Sequence, residues 1–327
     1  MIRYRPFINR DPPALADIWR SQTDLRCALS PLTASVLEET VLAKPYFDRS
    51  GVIIAFDNER PVGFVHAGLG PNDARTNLDS GRGVIALLMV DGAYGESEVP
   101  RELLARGEAY LAERGVREIQ GPGGGWSNPF YLGLIGGSES LGVFDGETRL
   151  RELFATAGYR AAGRFAALQL DLRSFRPPVS RQQMQLRRRA TIEAVVEPPA
   201  ASWWEACLGP GTAGRFDSFP PTRYELALRP GEPPVCSVVF WALEGCSQRW
   251  GTRAAGLIDL QTSLTLRRQG AATCLLSEAI RQLQSEGFSL IEAQVSLDNS
   301  VSLQLFRRLG FVETEQGTEF RKTLAGS

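Results

Sequence analysis

Apolar positions along the chain alternate between strand and helix periods, and the order in which they do so occurs twice. In the first half, Asp11 stands as a helix N-cap before Pro12 and the apolar residues Leu15, Ile18 and Trp19. Residues 52–56 and 62–67, joined by Asp57-Asn58-Glu59, predict a hairpin, and residues 84–90 a further strand. A helix over 99–113 follows, with Leu103, Leu104, Tyr110 and Leu111 on its apolar side and Gly115 as its stop. The second half predicts a helix over 200–207, paired strands over 224–229 and 235–243, and a strand over 256–264. Leu275, Leu276, Ala279, Ile280 and Leu283 then recur at helical spacing, and Gly287 ends that helix. A strand over 288–295, a helix over 299–309 with Val301, Leu305 and Leu309 on one face, and a last strand over 311–321 complete the chain.

The ends of the halves correspond residue for residue. Leu153-Phe154-Ala155-Thr156-Ala157-Gly158-Tyr159 and Leu305-Phe306-Arg307-Arg308-Leu309-Gly310-Phe311 share one pattern, Leu-Phe-x-x-x-Gly-aromatic, each ahead of a strand. From Leu104 to Gly158 is 54 residues and from Leu276 to Gly310 is 34, so the first half carries 20 extra. They fall in 121–145, a Gly- and aromatic-rich stretch of the kind used for function or interfaces. Two prolines within 173–181 end the run 165–172 and place a linker there. The fold expected is α/β, with two tandem domains over 1–172 and 182–327, each a mixed, mostly antiparallel sheet flanked by helices.

Composition narrows the chemistry. With 36 basic and 37 acidic residues the net charge of −1 provides no field for a nucleic acid backbone. A single histidine, His66, leaves little for a His-based metal site, so no metal is expected. Five cysteines without close pairing do not read as a disulfide framework and fit a reducing compartment. No cleavable leader and no run of about 18 apolar residues is evident, which together predict a cytoplasmic protein that does not enter the membrane.

Arg267-Arg268-Gln269-Gly270-Ala271-Ala272 lies between a strand end and a helix start. A diphosphate needs unpaired main-chain N–H groups, a positive dipole end and little side-chain bulk, and this turn offers all three. Its spacing, Arg267-x-x-Gly270-x-Ala272, resembles the signature of the GNAT superfamily of acyl-CoA-dependent N-acyltransferases. A second motif of that family is matched by Asn299, Ser302 in place of Ala, Leu305, Phe306 in place of Tyr, Gly310 and Phe311.

The resemblance implies an N-acetyltransferase using acetyl-CoA or another acyl-CoA as donor and an amine of a small molecule or peptide as acceptor, by direct attack on the thioester. It assigns the diphosphate to Arg267, Arg268, Gln269, Gly270, Ala271 and Ala272, the pantetheine to Leu260, Gln261 and Thr262, and other cofactor contacts to Asn299, Ser302 and Phe306. Phe306 has no proton to give a departing thiolate, where the family often has tyrosine. That substitution keeps open a non-catalytic acyl-CoA sensor or an interaction module. Asp259 and Glu292, one on each presumed central strand, are the carboxylates placed to accept a proton from the amine. In the first half, Gly95-Glu96-Ser97-Glu98-Val99-Pro100 falls on the corresponding turn; two acids and a proline oppose a diphosphate there, so this half is expected to be a degenerate copy. His66 and Cys274 read as core residues, Trp203-Trp204 as helix packing, and Arg187-Arg188-Arg189 as the exposed face of a strand.

Overall fold

The computed structural model describes residues 1–324 other than 23, 24, 75, 124, 126, 127, 129, 180 and 200–218. The helix expected over 200–207, with Trp203 and Trp204, lies outside the described residues.

The first half opens with β1 (Ile2–Pro6), α1 (Pro12–Arg20) and the short α2 (Ala34–Leu37). The strands β2 (Val52–Asp57), β3 (Arg60–Pro71) and β4 (Leu78–Val90) form an antiparallel meander, followed by α3 (Val99–Glu113) and β5 (Glu118–Gln120). The long loop carries β6 (Val143–Phe144) and leads to α4 (Thr148–Thr156) and β7 (Arg160–Asp171). The second half contains α5 (Arg181–Arg187), β8 (Thr191–Val196), β9 (Thr222–Ala227), β10 (Cys236–Ala242) and α6 (Glu244–Trp250). It continues with β11 (Ala254–Thr262), α7 (Ala271–Ser285), β12 (Leu290–Ser296), α8 (Ser300–Arg308) and β13 (Val312–Thr323). Several details differ from the sequence reading, α2, β5 and β6 among them. Arg187 ends a helix and Arg188-Arg189 form the turn after it rather than a strand face, and α6 is too short to show a helical period in the sequence.

The two halves do not close separate sheets. All strands join one sheet in the order β1-β2-β3-β4-β5-β13-β7-β12-β11-β10-β9-β8, with β6 beside β13. The last strand of each half has crossed to the other: β13 pairs with β5, and β7 with β12. The two exchanged strands then pair with each other along most of their length, from Val312↔Gln169 to Arg321↔Arg160. Five strands of one half therefore stand on each side of a central exchanged pair.

The repeated ends of the halves make the same local structure. Phe154 and Tyr159 meet edge to face at 4.7 Å, and Phe306 and Phe311 at 5.0 Å. Tyr159 donates its N–H to the Phe154 carbonyl and Phe311 to that of Phe306, each at 3.0 Å. Gly158 and Gly310 supply the positive φ (87° and 93°) that this helix ending requires.

Face by face, the sheet separates two environments. On one side of the second half, α7 buries Leu275, Leu276, Ala279, Ile280 and Leu283 against Leu257, Ile291 and Ala293. Each such leucine or isoleucine contributes about 1.5–3 kcal/mol. On the other side, Val239, Trp241, Cys246 and Ile258 pack against Cys27 of the first half. Cys27 and Cys246 are joined by a disulfide, contrary to the reading of the cysteines as unpaired; 219 residues separate them, and only the fold brings them together. Cys274 is a free, buried core cysteine. Among the described residues no helix is long and apolar enough to cross a membrane.

Candidate functional site

Strands β11 and β12 run parallel and are paired from Ala254↔Leu290 to Leu257↔Ala293, and no further. Beyond that point β11 stays on β10 as far as Thr262, and β12 stays on β7 as far as Ser296. The sheet thus divides between Ile258–Thr262 and Gln294–Ser296, leaving main-chain groups of both strands without a strand partner. A register shift against β10 falls at the same place, and Asp259 takes a positive φ of 52° within it. Such a bulge re-aims side chains at the mouth of a cleft.

At the head of α7, Gly270 is the N-cap with φ 84°, preceded by Arg268 with φ 62°. No side chain caps the helix and its first turn carries no acid. Among the described residues nothing accepts from the N–H groups of Arg268, Gly270, Ala271, Ala272 or Thr273. Gln269 is the exception, its N–H turned to the Leu266 carbonyl at 3.3 Å. Side chains that might have filled the turn bond elsewhere: Gln269 Nε2 donates to the Thr265 carbonyl and Arg267 Nε to that of Thr262. The result is a row of outward amides at a positive helix end, flanked by two exposed arginines.

Asn299 caps α8 by accepting the Ser302 N–H at 3.1 Å, and its own amide N–H groups have no partner among the described residues. Phe306 is buried against Phe311, inside the core shared with α7. Leu260 packs at the edge of that core, while Gln261 donates to Asp259 at 2.7 Å.

The two candidate carboxylates occupy different environments. Asp259 is half-buried at the bulge. Glu292 is fully buried one residue before the sheet divides, and both its oxygens are engaged. Oε1 accepts the Ser138 N–H at 3.0 Å and Gln294 Nε2 at 2.9 Å, and Oε2 is paired with Arg26 at 2.8 Å. Arg26 holds Glu315 of β13 with its other terminal nitrogen at 2.9 Å and lies over the Phe144 ring at 4.3 Å. Gln294 donates to the Gly136 carbonyl and accepts from Leu141. The long loop of the first half is in this way fastened to β12 of the second. A Cβ on Gly137, whose φ is 93°, would collide with the Glu292 carboxylate. The sulfurs of Cys27 and Cys246 and the Glu292 carboxylate lie within 4.8 Å of one another, a cross-link beside an ion pair.

The corresponding turn of the first half is built differently. Ser97 Oγ accepts the Val99 N–H, Pro100 has no N–H to offer, and Glu98 and Glu102 flank the helix start. Glu96 pairs with Arg149 and Glu98 with Arg101. Strand β4 also leaves β5 after Val84↔Gln120, but Asn128 of the long loop enters there and donates to the Ala86 carbonyl. His66 is buried among Phe47, Phe130 and Tyr131, with Nδ1 2.9 Å from the Tyr131 hydroxyl.

Residues 212–311 match the acetyltransferase (GNAT) family, and they contain the divided strands and the amide turn together. That stretch is similar to a GNAT domain. The chain's fold is similar to that of tandem GNAT proteins. A tandem GNAT protein from the clavulanic acid biosynthesis pathway superposes with a TM-score of 0.65 at 12% identity, covering 100% of both chains. A GCN5-related glucosamine N-acetyltransferase region in a fungal multi-domain GH3 β-N-acetylglucosaminidase gives 0.68 at 16% identity. It covers 98% of this chain, which spans 38% of that protein. A GCN5-related N-acetyltransferase from Sphaerobacter thermophilus gives 0.59 at 15% identity, covering 98% and 95% of the two chains. No curated protein matches the chain in sequence.

Proposed function

We propose that the protein is an N-acyltransferase that takes its acyl group from acetyl-CoA or a related acyl-CoA bound to the carboxy-terminal half, and passes it to a small-molecule or peptide amine. The observation that carries this reading is the uncapped amide turn of 268–273 at the end of a strand whose pairing to β12 has just stopped.

The amides of Gly270, Ala271 and Ala272 hold the donor's diphosphate, and Arg267 and Arg268 add charge. The β12-facing edge of Leu260, Gln261 and Thr262 offers main-chain donors and acceptors to the pantetheine arm, and the free amide N–H groups of Asn299 provide further donors. The donor supplies an activated carbonyl; the chain's task is to place an amine against it, accept a proton and orient N–H groups toward the carbonyl oxygen. Asp259 is the carboxylate able to receive that proton, because Glu292 is committed to Arg26, Ser138 and Gln294. Phe306 donates nothing to the leaving thiolate.

Gly270→Glu tests the assignment by calorimetry with acetyl-CoA. A carboxylate among these amides, on a residue forced to positive φ, should weaken binding at least about a hundredfold, or about 2.7 kcal/mol. Unchanged affinity in a variant with unaltered circular dichroism would remove the site. Release of free thiol in the presence of amines tests turnover.

A further inference from the structure

Where the two halves meet, Cys27 of the first and Cys246 and Glu292 of the second bring three metal-ligating side chains together. Among the described residues these are the only three of their kind, His, Cys, Asp or Glu, whose ligand atoms all lie within 4.8 Å of one another. All are buried, at 3%, 1% and 0% exposure. The disulfide explains why the sulfurs are together, but not why a carboxylate stands beside them. A disulfide sulfur has no hydrogen to give, so Glu292 gains no hydrogen bond from it. The carboxylate is nevertheless aimed from several directions. Oε1 accepts from the Ser138 N–H and Gln294 Nε2, which uses both its lone pairs, whereas Oε2 accepts only from Arg26 and keeps a lone pair without a donor among the described residues. Hydrogen bonds of this kind are what orient a carboxylate that ligates a metal. The segments carrying the sulfurs are fixed independently of the S–S bond. Arg249 of α6 donates to the Leu25 carbonyl at 3.2 Å, Gln248 accepts the Ser30 N–H at 3.0 Å, and Gly245 lies so close to the Cys27 carbonyl that a Cβ there would collide with it. Opening the bond therefore leaves the two sulfurs as neighbours.

We propose that, once the disulfide is reduced, Cys27 Sγ, Cys246 Sγ and Glu292 Oε2 form a zinc site that takes over from the covalent link between the halves. A dithiol reductant closes to its own disulfide and passes two electrons and two protons to the sulfurs, giving two thiols; Zn²⁺ then binds both as thiolates and releases the two protons to solvent. A zinc ion with two thiolates carries no net charge, as the disulfide carries none, so the buried pair of Glu292 and Arg26 keeps its balance. Bonds of about 2.3 Å to sulfur and about 2.1 Å to oxygen set the ligand atoms about 3.5 Å apart, which the group reaches by parting the sulfurs and bringing the carboxylate roughly 1 Å closer. Two thiolates reject magnesium and calcium, and a carboxylate as third ligand suits zinc better than a soft monovalent ion. The site is independent of the N-acyl transfer reading.

The test compares the full chain in two states: oxidised, and reduced with dithiothreitol in urea, refolded and freed of reductant by anaerobic gel filtration. Cadmium, standing in for zinc, is titrated into each and followed by its thiolate charge-transfer absorption. The reduced protein should take up a single cadmium ion that zinc displaces, and the oxidised protein should develop no band. The double variant Cys27→Ser/Cys246→Ser retains the free thiols Cys236 and Cys274 and should also develop none. Glu292→Gln should weaken zinc about tenfold. If reduction alone loosens the fold, zinc should restore the circular dichroism of the oxidised protein. Reduced protein that binds cadmium no better than the double variant, equal binding by the oxidised protein, unchanged zinc affinity in Glu292→Gln, or a loosened fold that zinc does not restore would each overturn the proposal.

Discussion

Replacing Arg26 by alanine puts the role of Glu292 to the sharpest test. Glu292 has no side-chain exposure and Arg26 15%, so neither charge is rescued by water when the other is removed. Stranding a buried carboxylate in this way costs about 3–5 kcal/mol. Loss of the guanidinium from the Phe144 ring adds about 0.5–1 kcal/mol. A domain's whole stability is about 5–15 kcal/mol, so Arg26→Ala should survive only marginally. Glu292→Gln alone keeps an acceptor for Ser138 and leaves Arg26 with Glu315, and should cost about 1–2 kcal/mol. The double variant removes the stranded charge and should recover about 2–3 kcal/mol relative to Arg26→Ala. Urea unfolding followed by tryptophan fluorescence measures all three, with an unchanged slope required before midpoints are compared. If the two single changes simply add, the ion pair is not what holds the first half's loop on β12, and Glu292 returns as a candidate proton acceptor.

His66 predicts an acid-sensitive fold. Burial pulls its imidazole from an ordinary value near 6.5 down to about 3, so the folded protein binds its proton less readily than the unfolded chain. The associated stability is complete above about pH 6.5 and falls as pH drops toward 3, by about 2–3 kcal/mol between pH 7 and 4.5. His66→Leu should flatten that part of the profile of urea midpoint against pH; an unchanged slope would show that another group is responsible. Cutting the chain within 173–179 should release neither half: gel filtration of the nicked protein under reducing conditions is expected to give one species of full mass, and separation into halves would contradict the strand exchange.

What could be read from the sequence was what neighbours in the chain decide. The helix ends at Gly158 and Gly310 were legible because the aromatic residue, the glycine and the phenylalanine that meet there lie within six residues of one another. The amide turn of α7 was legible for the same reason, since a helix start creates its own unpaired N–H groups. The exchange of β7 and β13 was not, because a strand's period tells which face is buried but not which strand lies beside it. The pairing of Cys27 with Cys246 is invisible in the sequence because it depends wholly on that tertiary arrangement. By sequence Glu292 reads as a cleft carboxylate, and nothing local names Arg26 or Ser138 as its partners. A signal did exist: Glu292 and Gln294 place two polar side chains on one face of an otherwise apolar strand, the mark of a buried polar network.

The exchanged central strands also bear on how such a chain can change over generations. Once two copies of a fold have traded their final strands, deleting either copy strips the survivor of the piece it borrowed and exposes two raw sheet edges to aggregation. The first half is therefore needed as scaffold whatever its own turn at 95–100 can hold, and trimming the gene back to one copy by a single deletion would break the shared sheet.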